Sequence, residues 1–130
     1  MIIDSSVLVA ILHAEPGYVR YLDAILAADQ AAVPAPNYLE TCMVLAGRKT
    51  EAALDWLDSY IRESNISILP FTADHALVAR QAFLRYGKGR HKAGLNFGDC
   101  IAYAAAKLEG MPLLFKGDDF SLTDIEPALG

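Results

Sequence analysis

A chain of 130 residues that is 54% hydrophobic and carries a net charge of −5 is long enough to bury one core and too apolar to stay disordered. The acidic balance does not favour a surface that is basic throughout, and no apolar run approaches the ~18 residues of a membrane span. No basic n-region stands near Met1, so the expected location is the cytoplasm, with no membrane.

Met1-Ile2-Ile3 reads as a short buried strand, and Ser5 or Ser6 is expected to cap a helix over 7–13. Glu15-Pro16-Gly17 breaks it, and an amphipathic helix follows over 18–28 with Leu22, Ile25 and Leu26 on one face. A weak strand over 31–33 stops at Pro34. From Pro36 or Asn37 a long helix reaches about Gly47, with Leu39, Cys42, Met43 and Ala46 at the helical period. Thr50 is placed to cap a helix over 51–64, where Leu54, Leu57, Asp58 and Ile61 share a face. A strand over 66–69 ends at Pro70, and Thr72 caps a helix over 73–86. The stretch 87–94 is a glycine-rich basic loop. Asn96 caps a helix over 97–109 that Gly110 stops, a strand follows over 112–115, and Ile125 is a candidate for a last edge strand. Strands that alternate with helices imply a parallel sheet covered on both faces. The expected fold class is therefore α/β, one domain over 1–130 with a central parallel sheet of about four to five strands flanked by helices.

Acidic residues abut or interrupt the apolar segments. Asp4 ends the first strand, Glu40 lies within 38–45, Asp99 opens the apolar run 100–105, and Asp118 follows 113–115. Carboxylates avoid the interior unless they are paired or bound to a metal. Each acid also has an ordinary reading. Asp4 suits a helix cap, Asp99 has capping-box spacing from Asn96, Glu40 fits a narrow polar strip with Asn37 and Thr41, and Asp118 and Asp119 suit a turn. Together they point to one cluster around Mg2+ or Mn2+, hard cations that take oxygen ligands. Asp4 and Asp118 fall past the carboxyl ends of strands, where open α/β sheets bind ligands.

The other reactive residues argue for little. Cys42 and Cys100 form no Cys/His cluster and read as reduced thiols. His13, His75 and His91 pair with no nucleophile and third orienting group.

The ordered set resembles the PIN-domain ribonucleases, specifically the VapC toxins of bacterial type II toxin–antitoxin pairs. The likeness covers essentially the whole chain. It opens with Met1-Ile2-Ile3-Asp4-Ser5-Ser6 and continues through Asn37-Tyr38-Leu39-Glu40-Thr41. Its most diagnostic part is Tyr86-Gly87-Lys88-Gly89-Arg90-His91-Lys92-Ala93-Gly94-Leu95-Asn96-Phe97-Gly98-Asp99-Cys100, followed by 112–120. The resemblance implies that Asp4, Glu40 and Asp99 are metal-binding, catalytic acids, with Ser6 and Asn96 as supporting polar residues. For the fourth acid it favours Asp118, with Asp119 the alternative. It implies a single PIN domain and a magnesium- or manganese-dependent endoribonuclease for structured RNA, often tRNA. It also implies a homodimer restrained by a cognate VapB-type antitoxin.

Beside that resemblance, Arg90 and Lys92 are candidates to hold RNA phosphates, unless the loop is merely solvated. Tyr86, His91 and Phe97 offer rings for stacking on unpaired bases, but Phe97 is expected in the core and Tyr86 at its helix end. Val9, Leu12 and Tyr21 are either partner surface or core. Two rival functions share the acidic signal. One is a magnesium-dependent phosphatase or phospho-receiver domain, although Asp4-Ser5-Ser6 lacks the Asp-x-Asp of a haloacid-type phosphatase. The other is a non-catalytic RNA-binding module on the PIN fold.

Overall fold

In the computed structural model the described residues are 1–48 and 50–129; of the span 1–130, Lys49 and Gly130 lie outside them. The strands are β1 (Ile2–Ile3), β2 (Ala31–Pro34), β3 (Ile66–Leu69) and β4 (Leu113–Leu114). The helices are α1 (Ser5–Leu12), α2 (Val19–Ala27), α3 (Ala35–Arg48), α4 (Ala52–Glu63), α5 (Ala73–Tyr86) and α6 (Phe97–Glu109). The strands form one sheet in the order β3-β2-β1-β4, all parallel. The α/β class and the parallel sheet are as expected. Ile125 adds no edge strand; instead an isolated bridge joins Leu113 to Pro127.

Alternation along the strands divides the core into two layers. Ile2, Ala32 and Leu113 point to one side, into a cluster with Ala82, Tyr86, Leu95 and Tyr103 from α5, α6 and the loop between them. Ile3, Val33 and Leu114 point to the other, into a cluster with Leu8, Tyr21, Ile25, Leu45, Leu57 and Ile61. Ile2, Ile3, Val33 and Leu113 are fully buried, as a sheet covered on both faces requires.

The helix α6 is the most enclosed element. Its alanines Ala102, Ala104, Ala105 and Ala106 let it lie close between the sheet and α5. Gly110 ends it in the left-handed region at φ 64°, a conformation that glycine adopts without strain.

The chain runs outward from β1 through β2 to β3, then crosses back to place β4 on the far side of β1. The strand order therefore switches between β1 and β4, and a crevice opens past their carboxyl ends.

Several local expectations change. Asp4, not Ser5 or Ser6, caps α1, so the helix starts at Ser5. Thr50 makes no side-chain cap; Glu51 takes the N-cap position of α4. On α2, Ile25 is buried but Leu26 is 87% exposed. The apolar stripe of α3 turns mostly outward: Leu39, Met43 and Ala46 are exposed and only Cys42 packs partly buried against the core, while Asn37, Thr41 and Leu45 face inward. Tyr21 is core, and Leu12 packs partly buried against it, so they do not form an open partner surface. Phe97, expected in the core, is 82% exposed.

Candidate active site

The crevice past β1 and β4 is a cleft of about 370 Å³ where side chains from distant segments meet. Asp4, Glu40, Asp99 and Asp119 line it, with Ser5, Ser6 and Asn96. A neighbouring cleft shares Phe120 but gathers no carboxylate.

Asp4 is fixed by β4 and by the first turn of α1. Its backbone N–H donates to Leu114 O at 2.9 Å, tying the end of β1 to β4. Its carboxylate Oδ2 accepts from the Ser6 N–H at 3.1 Å and from the Ser6 hydroxyl. The Ser6 Oγ accepts in turn from the Lys116 N–H at 3.1 Å. The remaining oxygen, Oδ1, is buried and has no hydrogen-bond partner among the described residues.

Glu40 reaches the cleft from α3. Its Oε1 accepts from Ser5 Oγ at 2.5 Å. Its carboxylate lies against Gly98, where a Cβ would come within 2.7 Å of Oε1 and 2.9 Å of Oε2. Glycine at that position thus admits Glu40 to the start of α6. Asn37 secures the approach by donating from Nδ2 to Gly98 O at 3.1 Å.

Asp99 sits in the first turn of α6, in a capping box. Its N–H donates to Asn96 Oδ1 at 2.9 Å, and its Oδ2 accepts from the Asn96 N–H at 3.0 Å. Asp119 opens a 3-10 turn, Asp119–Leu122. Asp118, favoured from the sequence, is exposed one residue before that turn and does not line the cleft; the alternative, Asp119, does. Position in a turn is a matter of single residues, and Gly117 with φ 97° redirects the chain just before them.

The electrostatics follow from the crowding. Burial pushes the Asp4 carboxyl up to about 7, and the charges of Asp99 and Glu40 add to the rise against the lowering by Ser6. Burial also raises Asp99, with Asp119 and Glu40 contributing. Among the described residues no three His, Cys, Asp or Glu side chains already converge tightly enough to cage an ion. The donor chemistry fits a hard divalent cation nonetheless. The lining carboxylates offer oxygen, they repel one another, and one oxygen is buried without a donor.

Two cations stand at the rim that the sequence reading missed, Arg48 and Lys116. Lys116 Nζ pairs with Glu15 Oε1. Arg48 makes no ion pair among the described residues. Its signal was legible: Glu40, Val44 and Arg48 recur at intervals of four on α3, and all three line the cleft. Arg90 and Lys92 are exposed and lie outside the cleft lining. Arg90 donates from Nε to Leu84 O at 3.2 Å, which ties its loop to the end of α5. Among the described residues no histidine lines the cleft: His13 Nδ1 stands 3.9 Å from Oε2 of Glu15, itself a lining residue, His75 bonds Glu109, and His91 stacks edge-on to Tyr86.

A PIN-domain family model matches residues 1–126. The chain belongs to the PIN-domain family, in its VapC branch. It is 46% identical over 126 residues to "Ribonuclease VapC" of Mycolicibacterium smegmatis, covering 96% of this chain and 97% of that one. It is 45% identical over 125 residues to "Ribonuclease VapC30" of Mycobacterium tuberculosis, covering 96% and 95%. Among solved structures it is similar in fold to M. tuberculosis VapC20, a sarcin-ricin loop cleaving toxin, at TM-score 0.76, 16% identity and 95% coverage of each chain. It is also similar to VapBC2 from Rickettsia felis bound to a promoter DNA fragment, at TM-score 0.74 and 15% identity, covering 97% of this chain and 94% of that one. Membership of this family displaces the phosphatase and phospho-receiver readings. No helix among the described residues is long and apolar enough to cross a membrane.

Proposed function

We propose that this PIN-domain chain is a metal-dependent endoribonuclease and the toxin of a toxin–antitoxin pair. The observation that carries the reading is the bare, buried Asp4 Oδ1 beside the charges of Glu40 and Asp99. A buried carboxylate oxygen without a donor is costly, and a divalent cation removes that cost. Asp4, Glu40 and Asp99 would hold the ion, magnesium or manganese, and Asp119 would complete the oxygen set in place of Asp118. A bound cation of this kind polarises a phosphoryl oxygen and acidifies a water for in-line attack on a phosphodiester.

The chain's own side chains supply the rest. Ser6 holds Asp4 through Oδ2 and leaves Oδ1 without a donor, and Ser5 holds Glu40 through Oε1. Asn96 fixes Asp99 through the capping box. Arg48 and Lys116 at the rim are better placed to hold the phosphate of the substrate than Arg90 or Lys92, which would contact flanking phosphates farther out.

The substrate is RNA with structure, tRNA being one candidate. The partner is a VapB-type antitoxin. Its inhibitory arm would offer Arg or Lys to the acids as a charge-assisted stand-in for the ion. A single domain over 1–130, a homodimer and a cytoplasmic setting complete the reading.

The test is incubation of the purified protein with total RNA in manganese, magnesium or chelator, with the cut ends mapped. Site-specific cleavage that needs the metal and vanishes in Asp4→Asn supports it. Binding of RNA with no cleavage under any metal supports the non-catalytic module instead.

A further inference from the structure

We propose that Phe97 is a stacking platform for an unpaired nucleobase of the RNA, beside the phosphodiester held at the carboxylate cleft. The proposal rests on the ribonuclease reading above and adds a base-binding subsite to it.

Phe97 has no structural task to explain its ring. It is the first residue of α6, and it is 82% exposed. The helix start is already complete without it. Asn96 and Asp99 satisfy the capping box. The apolar contact that commonly braces such a box joins the residue before the cap to the fourth helical position, here Leu95 and Cys100, and both are buried in one cluster. Phe97 is left pointing into solvent between them in sequence.

Its position is tied to the chemistry. Asn96 on one side and Asp99 two residues on both line the cleft, and Gly98 next to it is in contact range of Glu40. The mount is stiff. The preceding loop is closed at its neck by Lys88 N–H to Leu95 O at 3.0 Å and Leu95 N–H to Tyr86 O at 2.9 Å. That loop presents Lys88 and Lys92 to solvent, cations that match a phosphate backbone.

The other candidate rings are less free, although His91 is exposed. Tyr86 is buried in the core, and His91 packs edge-on against it at 5.1 Å with its Nδ1 accepting from the Ala93 N–H. An exposed aromatic on a rigid helix start, flanked by cations and a phosphodiester site, suits a base that has left its own stack. A duplex holds its bases stacked on each other and offers Phe97 no open face.

The experiment uses the full chain in the Asp99→Asn background with manganese. The probe is a single-stranded oligoadenylate RNA carrying a fluorescent adenine analogue, compared with the same strand in a duplex. Phe97→Ala is expected to weaken binding of the single strand about 5- to 100-fold and to abolish the stacking-dependent quenching of the analogue. Phe97→Tyr and Phe97→Trp should restore both, Phe97→Leu neither, and duplex binding should not change. Full binding and quenching in Phe97→Leu, equal losses on duplex, or no binding of the single strand by the Phe97 protein would each overturn the proposal. So would dissociation of an oligomer by Phe97→Ala in sedimentation, which would make Phe97 a subunit contact. Failure of the ribonuclease reading is seen separately, as total RNA left uncut by the protein with Asp99 intact in manganese and in magnesium.

Discussion

The helices α5 and α6 start in the same way, yet one start is closed and the other is open. At α5, Thr72 Oγ1 accepts from the His75 N–H, and His75 Nδ1 accepts from the Thr72 N–H at 3.0 Å. The remaining ring nitrogen, Nε2, stands 3.3 Å from Glu109 Oε1, and the ring packs beside Phe71. Every polar atom of His75 thus has a partner. At α6, Asn96 and Asp99 form the matching box, but Asp99 looks into a cleft shared with Asp4, Glu40 and Asp119. Its neighbours repel it where those of His75 receive it. The same local motif therefore serves structure in one place and leaves an unmet demand for positive charge in the other. What separates them is the topology, since only α6 begins beside the switch point between β1 and β4.

The sharpest way to break this contrast is Asp99→Asn. The amide keeps an oxygen for the Asn96 N–H, so the cap and the fold should survive, while the charge is lost. Metal-dependent cleavage should fall by about a hundredfold or more, with the thermal midpoint nearly unchanged. Cleavage at the original rate by the folded variant would remove Asp99 from the chemistry and leave both helix starts merely structural.

The second prediction concerns Asp4 and pH. In the folded, metal-free protein its carboxyl titrates near 7, against an ordinary value of 3.8. Between those values the folded state binds more protons than the unfolded chain, so stability falls as pH rises from about 4 to about 7. The loss attributable to this group is about 4 kcal/mol at the limit and is complete above pH ~7. Asp4→Asn should flatten that slope and stabilise the metal-free protein at pH ~8. Manganese should raise the urea midpoint of the native protein at that pH and leave the variant's unmoved. A native protein equally stable in chelator at pH ~5 and pH ~8 would contradict the buried, repelled carboxyl.

How much of this was legible follows physical lines. The order of strands and helices was readable because buried parallel strands leave short apolar runs and helices leave caps. The boundaries of α5 and α6 fall where Thr72, Asn96 and Gly110 put them. Asp4, Glu40 and Asp99 could be picked out because each interrupts an apolar segment. The orientation of α3 could not. Its apolar stripe through Leu39 and Met43 points outward, while its polar stripe through Asn37 and Thr41 is buried against α6 and its own backbone. Periodicity shows that a helix has two faces, not which one its neighbours require. The choice between Asp118 and Asp119 depended on a single step after Gly117, and Phe97 was misplaced because an aromatic beside a cap ordinarily packs inward.

Gly98 offers a finer test of the open helix start. Replacing it by alanine puts a Cβ where the Glu40 carboxylate now lies. That carboxylate ends a flexible side chain, so it can swing away at small cost to the fold. Gly98→Ala should therefore lower cleavage about tenfold while shifting stability by less than ~1 kcal/mol. A combined Gly98→Ala/Glu40→Gln protein should be no worse than Glu40→Gln alone, because both changes act on one carboxylate. Fully additive losses would mean that Gly98 acts through something other than Glu40.

The smallest effect belongs to the closed start. Thr72→Ala removes the hydroxyl that caps α5 and should cost about 1 kcal/mol, read as a lower denaturant midpoint. Cleavage per folded molecule should not change, because no residue of α5 lines the cleft. The matching change at the other helix, Asn96→Ala, removes a cap of similar strength but also frees Asp99 to rotate. It should lose both stability and activity. Equal behaviour of the two cap variants, with activity untouched in each, would show that Asp99 is held by its surroundings rather than by its box, and the contrast between the two helix starts would then rest on charge alone.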